Sequence, residues 1–597
     1  MHRRSLYAAL ACCLALVVLR ATSPPRNALT WDVFGYYLYL PATFIHHDIA
    51  LEDHAWLDRV MDQYEPSSTL YQLVDGPDGK RVIKYSAGMA VLYAPFFLVA
   101  HLTAPAMGFP ADGFSPPYQY IIGFGCLLYA LLGLFVLRRV LLHFFNDTWT
   151  ALLILLVVFG TNFLQLIAWD GTLLSHTPAF LLYALLLLAT LRWHGHPRAS
   201  SAMLIGASAG LITLVRPSEG LAVLLPLLWL PGTDNGWKRK WELLKGHPQH
   251  VLWAALAFVV AASPQLLYWH SVTGQWLFYS YQNPGEGFDF LPPHLANFLF
   301  SFRKGWLLYT PLMALALLGI LVLWKRCRVA FWAVLAFVVA DLWVVSAWTT
   351  WWYAGGSFSS RSMVPAYAVL AIPLGFGLQA LAVRRTWRMA LGAVLAGMVA
   401  LNLFQTWQWK AGILPRDRIT GAYYQAVFGR TKVPAGAGSL LMVERGTESA
   451  EHFTDEAHYT MRELCHFDFN NRPDSSFRFT PGEPWTTGPD IAFADLTKND
   501  HAWLRASAKL WVGDSVPDGA PPVLVITFHH QGETYHYRTG EWNIPPGTRN
   551  NWVPLTVDYL TPEVRSPKDN LKVYIWNEHG APWRVDDLRV EVWERTP

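Results

Sequence analysis

The sequence predicts an α-helical polytopic membrane protein of about eleven spans, followed by an all-β sandwich. Three observations carry this reading. Apolar runs of about 20 residues recur through the first 410 positions, each long enough to cross a ~30 Å hydrocarbon core. Clusters of Lys and Arg lie between alternate runs, as they do in loops on one side of a membrane. From about residue 450 the pattern changes to short alternating runs separated by turn residues, which is the signature of strands.

The runs, in order, are 6–22, 117–137, 149–167, 174–192, a broken run from 202 to 231, 250–269, 306–324, 329–347, 364–383 and 388–406. Arg216-Pro217 interrupts the broken run, because proline removes a helical donor and restricts the residue before it. It therefore reads as two short spans joined at "RPSEG". The first run has the basic start and apolar core of a signal peptide. Arg20 stands where a small-residue cleavage site would lie, so the run is read as an uncleaved span.

The basic clusters are Arg3-Arg4, Arg138-Arg139, Arg192 to Arg198, Lys238 to Lys245, Lys325 to Arg328 and Arg384 to Arg388. With eleven spans all six fall on the cytoplasmic side, with the N-terminus inside the cytoplasmic (inner) membrane. Residues 88–107 are apolar enough to span as well, but counting them would move the later clusters outside. They are expected to form a helix along the outer interface, broken by Pro95 and Pro105. The expected domains are a transmembrane domain at 1–410 with a first outer loop at 23–116, a linker at 411–449, and an outer β-sandwich at 450–597. Runs such as "PPVLVITFHH", "LKVYIWN" and "LRVEVW" supply its strands.

Composition supports the membrane class: 53% of residues are apolar, 15% are charged and 29 are tryptophan. The formal net charge is +3, with no basic stripe interleaved with aromatics, so a nucleic-acid partner is excluded. The five cysteines have no metal-ligand spacing. P-loop, dinucleotide, zinc-hydrolase and nucleophile-elbow motifs are all absent, which argues against ATP-driven transport and against serine or zinc hydrolysis.

The candidates for chemistry gather at the outer ends of spans. Asp32 is the single charge in "LTWDVFGYYLYLPATF". Two readings stand: it caps the following helix, or it is a base that takes a proton from a hydroxyl. Asp170 in "AWDGTLLSHTPAFLL" and His176 six residues on are ionisable groups at membrane depth, which usually face a cavity or a partner. Each also has a structural reading, Asp170 as a helix cap and His176 as a hydrogen-bonded core residue. Lys84 and Tyr85 lie in "VIKYSAG", Arg216 and Glu219 in "LVRPSEG", Arg303 in "FSFRKGW" and Arg361 in "GGSFSSRSMVP". The basic residues either meet lipid head groups or converge on a phosphate-bearing leaving group.

The order and context of these motifs resemble the GT-C class of integral membrane glycosyltransferases, which includes protein O-mannosyltransferases and bacterial aminoarabinose transferases. The resemblance covers about residues 1–410. It implies a polyprenyl-phosphate-linked sugar donor, a saccharide, lipid or protein acceptor outside the membrane, and Asp32 as catalytic base. It further implies Asp170 as a second acidic group, with Lys84, Arg303 and Arg361 on the phosphate. Val33 follows Asp32 where some subfamilies carry a second acidic residue, so a divalent cation is left open. The C-terminal strands are similar to those of jelly-roll carbohydrate-binding modules. Trp503, Trp511 and Trp576 are placed there either on sugar rings or in the core. The alternative function is a transporter or flippase of lipid-linked saccharides, a class that often shows internal repeats. None is evident here.

Overall fold

The computed structural model describes residues 3–169, 171–232, 234–352, 357–445, 453, 456–514, 520–578 and 581–596. The chain forms two compact units. One is helical and runs to Gly438; the other comprises Ser439–Pro597 together with Pro284–Glu286.

In the helical unit, α1 (Arg3–Thr22) is followed by α2 (Asp32–Tyr37), α3 (Tyr39–Phe44) and α4 (His54–Tyr64). A hairpin of β1 (Leu73–Asp75) and β2 (Arg81–Ile83) then leads into α5 (Gly88–Thr103). Next come α6 (Pro116–Leu141), α7 (Asp147–Phe159), α8 (Phe163–Ala168), α9 (His176–Gly195), α10 (Ala199–Val215) and α11 (Leu224–Leu228). After these are α12 (Gly236–Gly246), α13 (Pro248–Thr273), α14 (Leu295–Phe300), α15 (Trp306–Tyr309), α16 (Leu312–Arg326), α17 (Arg328–Ala347), α18 (Tyr367–Leu381) and α19 (Arg385–Lys410).

Among the described residues, six helices are long and apolar enough to cross a membrane: α1, α6, α9, α13, α17 and α19. Helices α5, α7, α10, α18 and the segment Pro217–Leu228 are apolar but shorter. Every apolar run of the sequence is helical, yet several are divided. Run 149–167 breaks at Gly160-Thr161-Asn162 into α7 and α8, and run 306–324 breaks at Thr310-Pro311 into α15 and α16. Helix α5 departs from expectation, since it passes through Pro95 without a break and ends ahead of Pro105. In apolar surroundings neighbouring elements and local adjustment accommodate an internal proline.

Small residues let backbones meet. Cβ atoms added at Gly206 and Gly210 of α10 would come within 1.9 Å of Ala254 O and 2.6 Å of Phe258 O on α13. This is the close approach that a Gly-x-x-x-Gly spacing permits. The basic clusters gather at one end of the unit. Arg4 and Ser5 bond Asp147, and Arg138 Nε donates to Ser5 Oγ at 2.8 Å. Phe144 packs near Trp229 (6.3 Å) and Phe145 near Phe376 of α18 (5.0 Å). Lys240 Nζ donates to Trp229 O at 2.9 Å and meets His194 Nε2 at 3.0 Å, while Leu230 N donates to Val329 O at 3.1 Å.

The second unit is an antiparallel β-sandwich. Its strands are β3 (Tyr459–Phe467), β4 (Phe477–Arg478), β5 (Asp490–Ala492), β6 (Trp503–Val512), β7 (Val523–His530), β8 (Glu533–Glu541), β9 (Asn551–Leu560), β10 (Asn570–Trp576) and β11 (Arg584–Arg595). One sheet has the order β5-β10-β7-β8; the other is β3-β11-β6-β9, with β4 also on β11. Alternate residues point inward, so Leu504, Leu510, Ile526, Phe528, Val573 and Val590 share one core.

The core tryptophans are Trp542 and Trp583, not the three singled out from the sequence. Trp503 stacks on Phe453 (5.4 Å, 15°), and Trp511 lies against Trp552 with Arg584 over its ring at 5.2 Å. Trp576 and the exposed Trp485 line a surface cleft of about 510 Å³ with Tyr574, Asp490 and Lys572.

Candidate active site

Asp32 is the first helical residue of α2. Trp31 occupies the capping position ahead of it, with φ of 53°, and no side chain caps the helix. The capping reading of Asp32 is therefore not what the structure shows, and its carboxylate turns to other side chains instead. Oδ1 accepts from the Tyr71 phenol at 2.9 Å and the Tyr85 phenol at 2.7 Å. Oδ2 meets the Arg361 guanidinium at 3.1 Å. The Asp32 side chain stays 27% exposed while that of Arg361 is 10% exposed, so the carboxylate is reachable although Tyr85 and Arg361 are buried and Tyr71 is half-buried.

The hairpin explains the two phenols. Leu73 pairs with Ile83, and Lys84 N donates to Gln72 O at 2.8 Å. One more step in that register sets Tyr71 opposite Tyr85, on a common face. Burial first, then the Asp32 charge, pushes both phenols well above their ordinary range, so each remains a proton donor at neutral pH. Lys84 is buried, with Nζ at 5.2 Å from the Tyr281 ring and 5.7 Å from those of Tyr71 and Tyr85. These separations are within the range of cation–π attraction.

The rest of "KYSAG" straps this pair to the bundle. Ser86 Oγ donates to Leu214 O, and Ala87 N donates to Gln265 Oε1 at 2.7 Å. Gly88 lies so close to α10 that an added Cβ would sit 2.4 Å from Val215 Cα and N.

A separate frame sets Arg361. Asn162 Nδ2 donates to Ser360 O at 3.2 Å; Tyr367 OH donates to Asn162 Oδ1 at 2.6 Å, and Trp306 Nε1 to Tyr367 OH at 3.1 Å. Thr310 and Ser359 share a hydroxyl bond at 3.1 Å, with Ser359 in the left-handed region at φ of 62°. Lys304 supports the same turn by donating to Ser357 O and, at 2.7 Å, to Arg416 O. Its burial pushes the ammonium down to about 7.

A second cluster adjoins the first. Arg216 NH1 lies 2.9 Å from Glu219 Oε1 and 3.3 Å from His176 Nδ1, and Tyr183 OH donates to Glu219 Oε2 at 2.6 Å. Tyr36 stands between the two groups. Burial and then Asp32 push its phenol up to about 12, against the pull of Arg216, Arg361 and a hydrogen bond with Ser175.

The sequence candidates thus separate into three sets. Asp32, Lys84, Tyr85 and Arg361 converge, and Arg216, Glu219 and His176 form the neighbouring cluster. Arg303 turns elsewhere, forming a bidentate pair with Asp417 (2.6 and 2.8 Å) while its guanidinium lies 4.4 Å from the Trp352 ring centroid. Asp170 lies outside the described residues. Among the described residues no group of three His, Cys, Asp or Glu side chains is placed to hold a metal ion.

Sequence reasoning missed Tyr71, Tyr36, Tyr281, Asn162 and Asp417. The hairpin register would have found Tyr71; Asp417 has no local signal, since its partner lies 114 residues away.

No family model matches the sequence, and no curated protein matches it. Among solved structures, the chain is similar to the archaeal oligosaccharyltransferase AglB from Archaeoglobus fulgidus, determined with an inhibitory peptide and a dolichol-phosphate. That similarity covers 71% of this chain and 57% of AglB, at 13% identity and a TM-score of 0.39. An apo form of the Archaeoglobus fulgidus oligosaccharyltransferase matches over 73% of this chain and 59% of its own, at 14% identity and a TM-score of 0.35. The chain therefore spans less than two thirds of the length of these solved structures, which are both archaeal oligosaccharyltransferases.

Proposed function

We propose that the chain is a membrane glycosyltransferase that moves a sugar from a polyprenyl-phosphate donor to a saccharide, lipid or protein acceptor on the outer face of the cytoplasmic membrane. The observation that carries this reading is a reachable Asp32 carboxylate held by two phenols and one guanidinium, with further cations close by. An acceptor hydroxyl gives its proton to Asp32 as its oxygen bonds the anomeric carbon. The bond from that carbon to the phosphate oxygen breaks, and the phosphate leaves with the electron pair. Arg361, Lys84 and Arg216 offset the charge it gains. Arg361 pairs with Asp32 in the free enzyme, so a donor phosphate competes for the guanidinium and releases the carboxylate to the acceptor.

The test incubates purified protein in membranes with labelled polyprenyl-phosphate sugars and candidate acceptors. Sugar transfer that disappears in Asp32→Asn is the expected result. Relocation of intact donor across the bilayer without transfer would favour a flippase instead.

A further inference from the structure

An apolar groove of the helical unit lies between α7 and α19, and none of its lining residues belongs to the Asp32 cluster. It has a volume of about 700 Å³ and an almost wholly apolar lining that includes Leu152, Leu156, Gly392, Leu395 and Val399. Both ends are closed by polar contacts. At one end Asn402 Nδ2 donates to Phe159 O at 2.9 Å and Thr161 O at 2.8 Å. At the other, Arg388 folds back on α18, with Nε donating to Ala382 O at 2.9 Å. Between Arg388 and Leu403 the groove follows ~22 Å of helix at ~1.5 Å per residue. That length exceeds the ~15 Å of one leaflet of the ~30 Å core, so the groove has room for one lipid chain along its full leaflet depth.

Charge says which lipid. Arg388 forms part of the lining, and Arg384 and Arg385 stand exposed beside it at the basic end of the unit. That end attracts an anionic headgroup, at about 1 kcal/mol per basic residue near the surface. It is also the end opposite the Asp32 site, where a donor would have to present its sugar. We infer that the groove is a binding site for one acyl chain of an anionic phospholipid, whose headgroup sits at Arg388.

The site bears on the other end of the bundle through Asn402. The Phe159 and Thr161 carbonyls that it holds lead directly to Asn162, which fixes the Ser360-Arg361 turn. A chain filling the groove keeps α19 and α7 at the spacing this frame requires.

The experiment uses the full chain in mild detergent, with native mass spectrometry for bound lipid and added phosphatidylglycerol, phosphatidylcholine or a polyprenyl phosphate as probes. Wild type is expected to retain one phosphatidylglycerol, with at least fivefold preference over phosphatidylcholine, the factor that about 1 kcal/mol from a single basic residue gives. Arg388→Gln should lower that preference about fivefold, the share of one basic residue, with Arg384 and Arg385 still in place. Gly392→Phe should abolish retention; Gly392 lines the groove and a Cβ there meets no atom within 4 Å, so the larger side chain starts from open space.

Equal retention of both lipids by wild type would overturn the site, and so would unchanged retention in Gly392→Phe. Preferential retention of an added polyprenyl phosphate would overturn it in favour of a donor-chain groove. None of these readouts depends on glycosyl transfer, so the site and the proposed function fail separately. The wild-type lipid comparison stands even if a variant does not fold.

Discussion

Asp32 has no role in capping its own helix, and this changes what its substitutions report. Asp32→Asn keeps the size and one acceptor oxygen for the phenols but loses the capacity to take a proton. General-base catalysis contributes ~10²–10⁴-fold, so turnover should fall by about that factor. Asp32→Ala removes no capping bond, but it deprives the Tyr71 and Tyr85 phenols and the Arg361 guanidinium of this acceptor, at a cost of about 1–3 kcal/mol, so it should melt below Asp32→Asn while its turnover is equally low. Initial rates and thermal melting of both variants check this; near-normal turnover in Asp32→Asn would remove Asp32 from the reaction. Asp32 and Arg361 were legible in the sequence because each is a lone charge in an apolar setting, and Lys84 because it opens the "KYSAG" stretch ahead of an apolar helix. Tyr71 and Tyr281 were not, since 25 tyrosines are scattered along the chain and only the hairpin register and tertiary packing single these out. Arg303 was legible as a cation, but its engagement with Asp417 depends on long-range packing that no local pattern encodes.

At the scale of elements, hydrophobic periodicity located the helices but not their interruptions. Gly160-Thr161-Asn162 and Thr310-Pro311 break apolar runs where polar groups are needed to hold the Arg361 turn. A local rule is broken there to build a site. The strap at Gly88 is open to direct test. Gly88→Ala drives a Cβ into the Val215 backbone, and overpacking of this kind costs ~1–3 kcal/mol. It should lower the melting temperature and, by displacing Lys84 and Tyr85, reduce transfer. Gly397→Ala on α19 is the control: its Cβ meets nothing within 4 Å, and alanine is favoured over glycine in helices by up to about 1 kcal/mol. Equal behaviour of the two variants would remove the strap from the argument.

The segment after α19 carries a pH dependence. Burial alone would raise the Asp417 carboxyl, but the Arg303 hydrogen bonds and charge, with Lys304, hold it below its ordinary value. A carboxyl depressed in the folded state binds fewer protons there than in the unfolded chain. Its stabilisation is therefore complete above the ordinary value of ~3.9 and is lost as pH falls through the lower folded value. Wild type should melt above Asp417→Asn at pH 6, and the gap should close below about pH 4. A gap that persists unchanged at pH 3 would show that the Arg303 pair contributes nothing through ionisation.

For the whole molecule, orientation follows from where the charges lie. Six basic clusters, scattered over nearly 390 residues of sequence, are drawn to one end of the helical unit by contacts among α1, α6, α7, α9, α12, α17 and α18. The Asp32 and Arg216 clusters lie away from that end, at the far ends of α10 and of the segment before α18. Positively charged loops stay in the cytoplasm, so the basic end should be inside and the Asp32 cluster outside. The chain beyond α19 should likewise lie outside, because α19 starts beside Arg384 and Arg385 at the basic end. A reporter active only outside the cytoplasm should therefore be silent when fused at residue 140 or 240 and active when fused after residue 410. A cysteine placed at exposed Asp78 in the hairpin loop should react with an impermeant thiol reagent added from outside, while one at exposed Lys238 should not. Reaction at Lys238 without reaction at Asp78 would invert the unit, placing Asp32 on the wrong face for an outer acceptor. The proposed reaction would then have to be abandoned together with the topology.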